Sequence, residues 1–253
     1  MGTPRFVDQA LGELQDSTEP YVLQIVDEHI DWFAPAGRED LVLRYARPVP
    51  LLAMAGLLGM DDRYAADVGQ AVPSVLTGSA HVERAEATLV RLCDQLVDEK
   101  RASPGPDVVS WMLHYARGDE VGTVPQEVRG LLLGVVAHAT SQIGIALSSR
   151  LPSPGIPPSV ECSGIRDGFE LPPGGLSLVR LIAETAVERL VHRLPDLRLR
   201  MPLAEILRTT NLGLDCPESL PVIFHPVRVQ YTGEEEITWV PAPTFTTAPP
   251  LAR

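Results

Sequence analysis

Residues 126–151 contain the run LLLGVVAHATSQIGIAL, which is apolar on nearly every face of a helix. This feature constrains the fold more than any other. A helix with one apolar stripe lies on a surface, whereas one that is apolar all round has to be surrounded. Its longest uninterrupted apolar stretch, Leu131 to Ala137, is far shorter than a bilayer requires. The cover must therefore be protein, and the rest of the chain has to supply it. With 45% apolar residues in 253, there is enough material for one large domain or two small ones.

The first 150 residues supply helices. Thr18-Glu19-Pro20 reads as an N-cap hydroxyl and an early proline. They precede a helix to Phe33 with Val22, Ile25, Val26, Ile30 and Phe33 inward. Pro48 and Pro50 open a short apolar helix that ends at Gly59. Arg84 to Arg101 is amphipathic, and its spacing predicts Ala87, Val90, Leu96 and Val97 facing the core. Asp107 is placed to cap the helix carrying Val108, Trp111, Met112 and Tyr115. Asp61-Asp62 reads as an acidic cap and first turn.

After Leu151 the texture changes. PSPGIPPS reads as an extended linker, followed by a strand-like piece to Leu171 and the turn Pro172-Pro173-Gly174-Gly175. Leu178, Leu181, Ile182, Ala186 and Leu190 define one more amphipathic helix, beginning at Leu176. Short β-prone pieces follow at Leu197–Leu199, Leu220–Phe224, Arg228–Tyr231 and Ile237–Val240, then a tail expected to be mobile.

Charge and cysteine usage narrow the function classes. A net charge of -12 argues against nucleic acid and against an anionic membrane surface. The three cysteines, Cys93, Cys162 and Cys216, have neither disulfide-framework nor zinc-site spacing. The start MGTPRFVDQALGELQ lacks the pattern of a signal peptide. A soluble cytoplasmic protein is expected.

Several segments, in order, resemble bacterial cytochrome P450s. Glu39-Asp40-Leu41-Val42, Ala46-Arg47-Pro48-Val49-Pro50 and Leu57-Leu58-Gly59 resemble the family's D-L-V…A-x-P-x-P…L-L-G stretch. RASPGPDVVSWML, from Arg101, is similar to the start of the H helix. Val136-Ala137-His138-Ala139-Thr140-Ser141 is similar to the A-G-H-E-T-T centre of the I helix. AVERLVHRLPDLRL, from Ala186, resembles the end of the L helix, and Ser219 to Phe224 the closing strand. The resemblance implies a mainly α fold, a reduced P450-like helical bundle with a small C-terminal β portion. It spans residues 1–225, with residues 226–253 as a β-prone, then mobile, extension.

Departures from the family pattern weigh as much. The resemblance begins about where the family's C helix does, so a domain lacking the N-terminal sheet is expected. Between Leu151 and Leu176 there are about 25 residues, with no E-x-x-R and no F-G-x-G-x-H-x-C loop. Counting back from Pro195, the position of the iron-ligating cysteine is Pro173, and Cys162 lies 14 residues before Leu176. The acid of the I-helix pair maps to Ala139, while Thr140 keeps the hydroxyl. Thiolate donation to haem iron drives oxygen–oxygen cleavage, so the chain is expected to have no cofactor and no monooxygenase activity.

Two functions are then open. P450-like proteins without haem include auxiliary partners that bind and stabilise a glycosyltransferase in antibiotic biosynthesis, and this chain is similar in lacking the cysteine. Alternatively, a cofactor-independent tailoring enzyme would use the vacated pocket for a hydrophobic small-molecule intermediate. His138, Thr140 and Ser141 would then assist a cyclisation, isomerisation or elimination. Against this stand ordinary roles: a buried histidine satisfied by backbone, and hydroxyls back-bonded to the carbonyl four residues earlier. Asp27, Glu28, His29 and Asp31 cluster on one helix, but a solvated face accounts for them better than a metal site. No hydrolase elbow or phosphate loop is present.

Overall fold

A computed structural model describes residues 5–154, 171–211 and 214–227. Among the described residues there are eight α-helices: α1 (Arg5–Gly12), α2 (Gln15–Phe33), α3 (Pro48–Leu57), α4 (Asp62–Leu76), α5 (Val82–Ala102), α6 (Val108–Tyr115), α7 (Val124–Arg150) and α8 (Pro173–Arg193). Every residue of α7 from Leu131 to Ser141 is buried, as an all-round apolar helix requires. By length and composition α7 could cross a membrane, but here it is a core helix. Around it α2, α3 and α8 pack on one another, and α5 and α6 cover a further side.

The small β portion closes one end. β1 (Arg38–Asp40), β5 (Pro221–Ile223) and β2 (Arg198–Leu199) form an antiparallel sheet in the order β1-β5-β2. β3 (Arg208–Asn211) pairs antiparallel with β4 (Leu214–Pro217), and β4 lies against α7. Asp40 ties β1 to the segment leading into β5. Its carboxylate accepts from Val42 N–H (3.0 Å), Ser219 Oγ (2.6 Å) and Leu220 N–H (3.0 Å).

Close approaches fix where the helices can pack. A methyl at Gly56 of α3 would overlap the Tyr21 hydroxyl of α2, so the crossing depends on glycine there. Gly59 has φ +75 and abuts Lys100 and Asp107. That half-hidden ion pair, 2.9 Å apart, anchors the cap of α6, where Asp107 Oδ1 accepts from Ser110 N–H at 2.8 Å.

Four expectations need correction. Thr18 is not a cap: α2 begins at Gln15, and the Thr18 hydroxyl donates to Leu14 O at 2.7 Å from inside the helix. On α5 the core face is Ala85, Leu89, Leu92, Cys93, Leu96 and Val97. Val90 is 40% exposed and Ala87 is exposed, because the helical step back from Leu96 reaches Leu89 and Ala85 instead. Pro173-Gly174-Gly175 is the first turn of α8, not a separate turn. Finally, Asp27 and Asp31 do not form a solvated face. Asp27 pairs with Arg189 (2.7 Å) and Arg193 (2.8 Å), and Asp31 pairs with Arg193, clamping α2 to α8. Burial alone would raise the Asp27 carboxyl, but the hydrogen bonds from Arg189 and Arg193 outweigh it and hold it below its ordinary value.

The β-prone pieces at Arg228–Tyr231 and Ile237–Val240, most of the proline-rich linker, the strand-like piece before Leu171 and the expected mobile tail lie outside the described residues.

Candidate functional site

The centre of α7 presents two faces of different use. Val136, Ala137, Thr140 and Ser141 recur at helical spacing and line a narrow cleft of about 40 Å³. The start of α3 contributes Arg47 and Leu51, one turn apart, and the end of α4 contributes Val72 and Leu76. β4 closes one wall with the buried Cys216. His138 is 2% exposed but does not line this cleft. The three sequence candidates are therefore divided: Thr140 and Ser141 share a cavity wall, and His138 occupies another face of the same helix.

Their surroundings differ as well. Thr140 is 8% exposed, and its hydroxyl has no partner among the described residues. It does not take the back-bond to the preceding turn that Ser148 takes with Gly144 O at 2.6 Å. A buried hydroxyl left open costs on the order of 1–3 kcal/mol, so its orientation into a cleft is chemically meaningful. Arg47 is half-buried and makes no ion pair among the described residues. Neither Arg47 nor Cys216 was marked out by the sequence, because only the packing of α3 and β4 on α7 brings them to Thr140.

His29, by contrast, is an internal residue of α2. Its ring Nδ1 meets Ile25 O at 3.3 Å, and burial lowers its pKa against that bond. Among the described residues no group of three or more His, Cys, Asp or Glu side chains is placed to hold a metal ion. A second and wider cavity, about 610 Å³, lies between α1, the start of α2 and the start of α8, with Asp8 and Ser177 in its wall.

No protein-family model matches the chain. In sequence it is similar to the 6-deoxyerythronolide B hydroxylase of Saccharopolyspora erythraea, 29% identical over 149 residues, covering 55% of this chain and 36% of the hydroxylase. It is also similar to cytochrome P450 CYP105Q4 of Mycobacterium marinum, 32% identical over 148 residues, covering 55% and 35% of the two chains. The chain spans only 31% to 40% of the curated relatives it matches. Among solved structures it is similar to Streptomyces peucetius CYP105P2 in complex with a biphenyl compound. There the TM-score is 0.68 at 20% identity, covering 87% of this chain and 76% of that one. The fold is that of a cytochrome P450. Within the P450 fold, α7 and α8 stand where the sequence resemblance places the I and L helices.

A P450 fold implies haem held by a cysteine thiolate just before α8, and the residues there can be tested for it. Pro173, at the expected position, offers no sulfur and no N–H. The N-terminus of α8 does hold an anion, as the helix dipole favours. That anion is the carboxylate of Asp8 from α1, whose Oδ1 accepts from Gly174 N–H at 2.8 Å. Gly175 then packs directly on α7, where an added Cβ would lie 3.3 Å from Leu131 Cδ1. The described cysteines are elsewhere: Cys93 is buried in α5, its thiol pushed up to about 12 by burial, and Cys216 is buried in β4. Cys162 lies outside the described residues. The start of α8 does not fit a thiolate-ligated haem.

Proposed function

We propose that this is a haem-free P450-like protein of natural-product biosynthesis. In this reading it acts in the cytoplasm as an auxiliary partner that binds and stabilises a tailoring enzyme such as a glycosyltransferase. The observation that carries the reading is the Asp8–Gly174 contact at the head of α8. The helical frame of a P450 is kept, while a carboxylate from α1 binds the head of α8 beside Pro173, the position that the resemblance gives the iron-ligating cysteine. A frame kept without its reactive centre is suited to presenting a surface. Several large apolar side chains lie on that surface, among them Leu207 (71% exposed), Leu43 (53%) and Leu176 (47%).

Two measurements test it. Protein purified from haem-supplemented cells is expected to show no Soret band, and a thiolate-type Soret band would overturn the haem-free part. Co-expression with a partner glycosyltransferase of natural-product biosynthesis is expected to yield a co-purifying pair with raised transferase activity. A transferase equally soluble and active alone removes the auxiliary part.

A second reading is favoured by the open hydroxyl of Thr140. In it the cleft holds a hydrophobic intermediate, and the chain performs a non-redox cyclisation, isomerisation or elimination with Thr140 and Ser141, and with His138 if it turns toward the cleft. Conversion of an accumulated intermediate by the lone protein, abolished in Thr140→Val, is the outcome that reading requires.

A further inference from the structure

The sheet β1-β5-β2 has one face in the core and one in solvent. Val222 of β5 and Leu199 of β2 point inward, each 1% exposed. The opposite face is basic. Arg38 of β1 and Arg198 of β2 both stand across from Ile223 of β5, so the three side chains form one row on the solvent side. Arg200 continues the register, its N–H donating to Pro221 O at 2.8 Å, and follows Arg198 by two residues on the same side. All three arginines are exposed, and Ile223 between them is half-buried. By strand geometry Arg38 and Arg198 are about 10 Å apart across β5, and Arg198 and Arg200 about 7 Å apart along the chain. This concentration of positive charge on one face stands out in a chain whose net charge is -12. The carboxylates of these strands do not neutralise it. Asp40 is held by Val42, Ser219 and Leu220, Asp196 pairs with His225, and Glu39 stands in the other row, across from Val222. Glu218 precedes β5, outside the sheet.

We propose that this face docks an extended acidic segment of a partner protein. Two of its carboxylates, at alternate residues, meet Arg198 and Arg200, and a further one reaches Arg38. Charge complementarity selects the occupant, and the spacing selects its form, because alternate side chains of an extended strand lie about 7 Å apart. A planar guanidinium matches a carboxylate in a two-pronged pair. A small anion is disfavoured, since an exposed sheet face offers no concavity to desolvate it. An anionic membrane is disfavoured too, since its plane extends beyond the patch and meets the acidic remainder of the molecule. Apolar side chains that a protein partner can bury stand nearby in the chain. Leu43 (53% exposed) follows β1 by three residues, and Leu207 (71%) accepts at its carbonyl the Glu218 N–H ahead of β5. The face lies past the C-terminus of α8, a 21-residue helix about 30 Å long, and so is remote from the Asp8 contact at its head. This assigns a surface to the partner proposed above, and rests on that reading for the occupant being a protein.

The test is fluorescence anisotropy of the full chain, at low salt, with labelled ten-residue peptides alternating Glu with Ser or Gln with Ser. The Glu peptide is expected to bind about tenfold more tightly than the Gln peptide, the yield of two or three exposed charge pairs. Added salt should shrink that ratio. The triple variant Arg38→Glu/Arg198→Glu/Arg200→Glu should abolish the preference, and the three Arg→Lys changes should keep most of it. The same charge change at Arg5, Arg84 and Arg180, exposed residues outside the sheet, should leave the preference in place. Unchanged melting temperatures establish that the loss is not one of folding. Equal affinity for the two peptides, or a preference that survives the sheet variant, overturns the proposal. Three further outcomes overturn it by giving the face another occupant. Binding to vesicles of one part phosphatidylserine to four of phosphatidylcholine, lost in the sheet variant, assigns a membrane. A dimer in sedimentation velocity, broken by the same variant, assigns a second copy. Tighter peptide binding in Glu234→Gln/Glu235→Gln/Glu236→Gln assigns the chain's own acidic run. Peptide binding requires no glycosyltransferase. A Glu preference without stimulation of a transferase therefore removes the auxiliary reading alone, and stimulation without the preference removes this surface alone.

Discussion

Single side chains do unequal work in this molecule, and Asp8 is the clearest case. Its carboxylate accepts the Gly174 N–H at the head of α8, where the helix presents unpaired N–H groups. Asp8→Ala should lower stability by about 1 kcal/mol, the usual loss for a helix-end acceptor, read as a drop in melting temperature. His29 predicts a pH effect. Burial depresses its pKa in the folded chain, so the unfolded chain takes up the proton first as pH falls. Stability should therefore be full above the ordinary histidine value and decline as pH drops below about 6.5. In His29→Leu the part of that decline due to His29 should vanish from urea-denaturation curves taken between pH 7 and 5. Sequence alone identified the Asp107 cap, because Asp before an apolar run is a local signal. It could not identify Asp8, whose partner lies 166 residues away. It named Thr140 and Ser141, which share one wall of the cleft, but had no way to separate His138 from them or to add Arg47.

At the scale of elements, what decides the packing is where two backbones come closest. The crossing of α2 and α3 depends on Gly56 giving room to the Tyr21 ring. Gly56→Ala should destabilise by about 1–3 kcal/mol through overpacking, and Tyr21→Leu in the same chain should recover part of it in a double-mutant cycle. α2, through its 3.6-residue periodicity, and α7, through an apolar run on every face, were legible from sequence to within a few residues. The face of α5 was misread because Ala87 and Val90 are apolar yet outward, and composition does not distinguish them from Leu89 or Leu92. The β3–β4 hairpin escaped notice because Arg208–Asn211 is polar and is held by pairing, not by its own pattern. The α2–α8 clamp was hidden for a similar reason: Asp27 and Asp31 find Arg189 and Arg193 only once the bundle forms.

On the scale of the whole molecule, the P450 frame was legible because its segments occur in order. The resulting architecture gathers α3, α5, α6, α8 and β4 around α7. Eleven consecutive residues of α7, Leu131 to Ser141, lie inside that ring. One consequence concerns time rather than energy. Amide hydrogens in such a segment reach solvent only when the surrounding helices separate. Mass-spectrometric deuterium uptake should therefore be slowest across Leu131 to Ser141, and its rate should report the opening of the entire protein. Uptake there as fast as in α1 would mean that the ring comes apart piece by piece. If slow, this stretch becomes a built-in clock: any molecule seated beside Thr140, or any protein docked on the outside, would register as a further delay in its labelling.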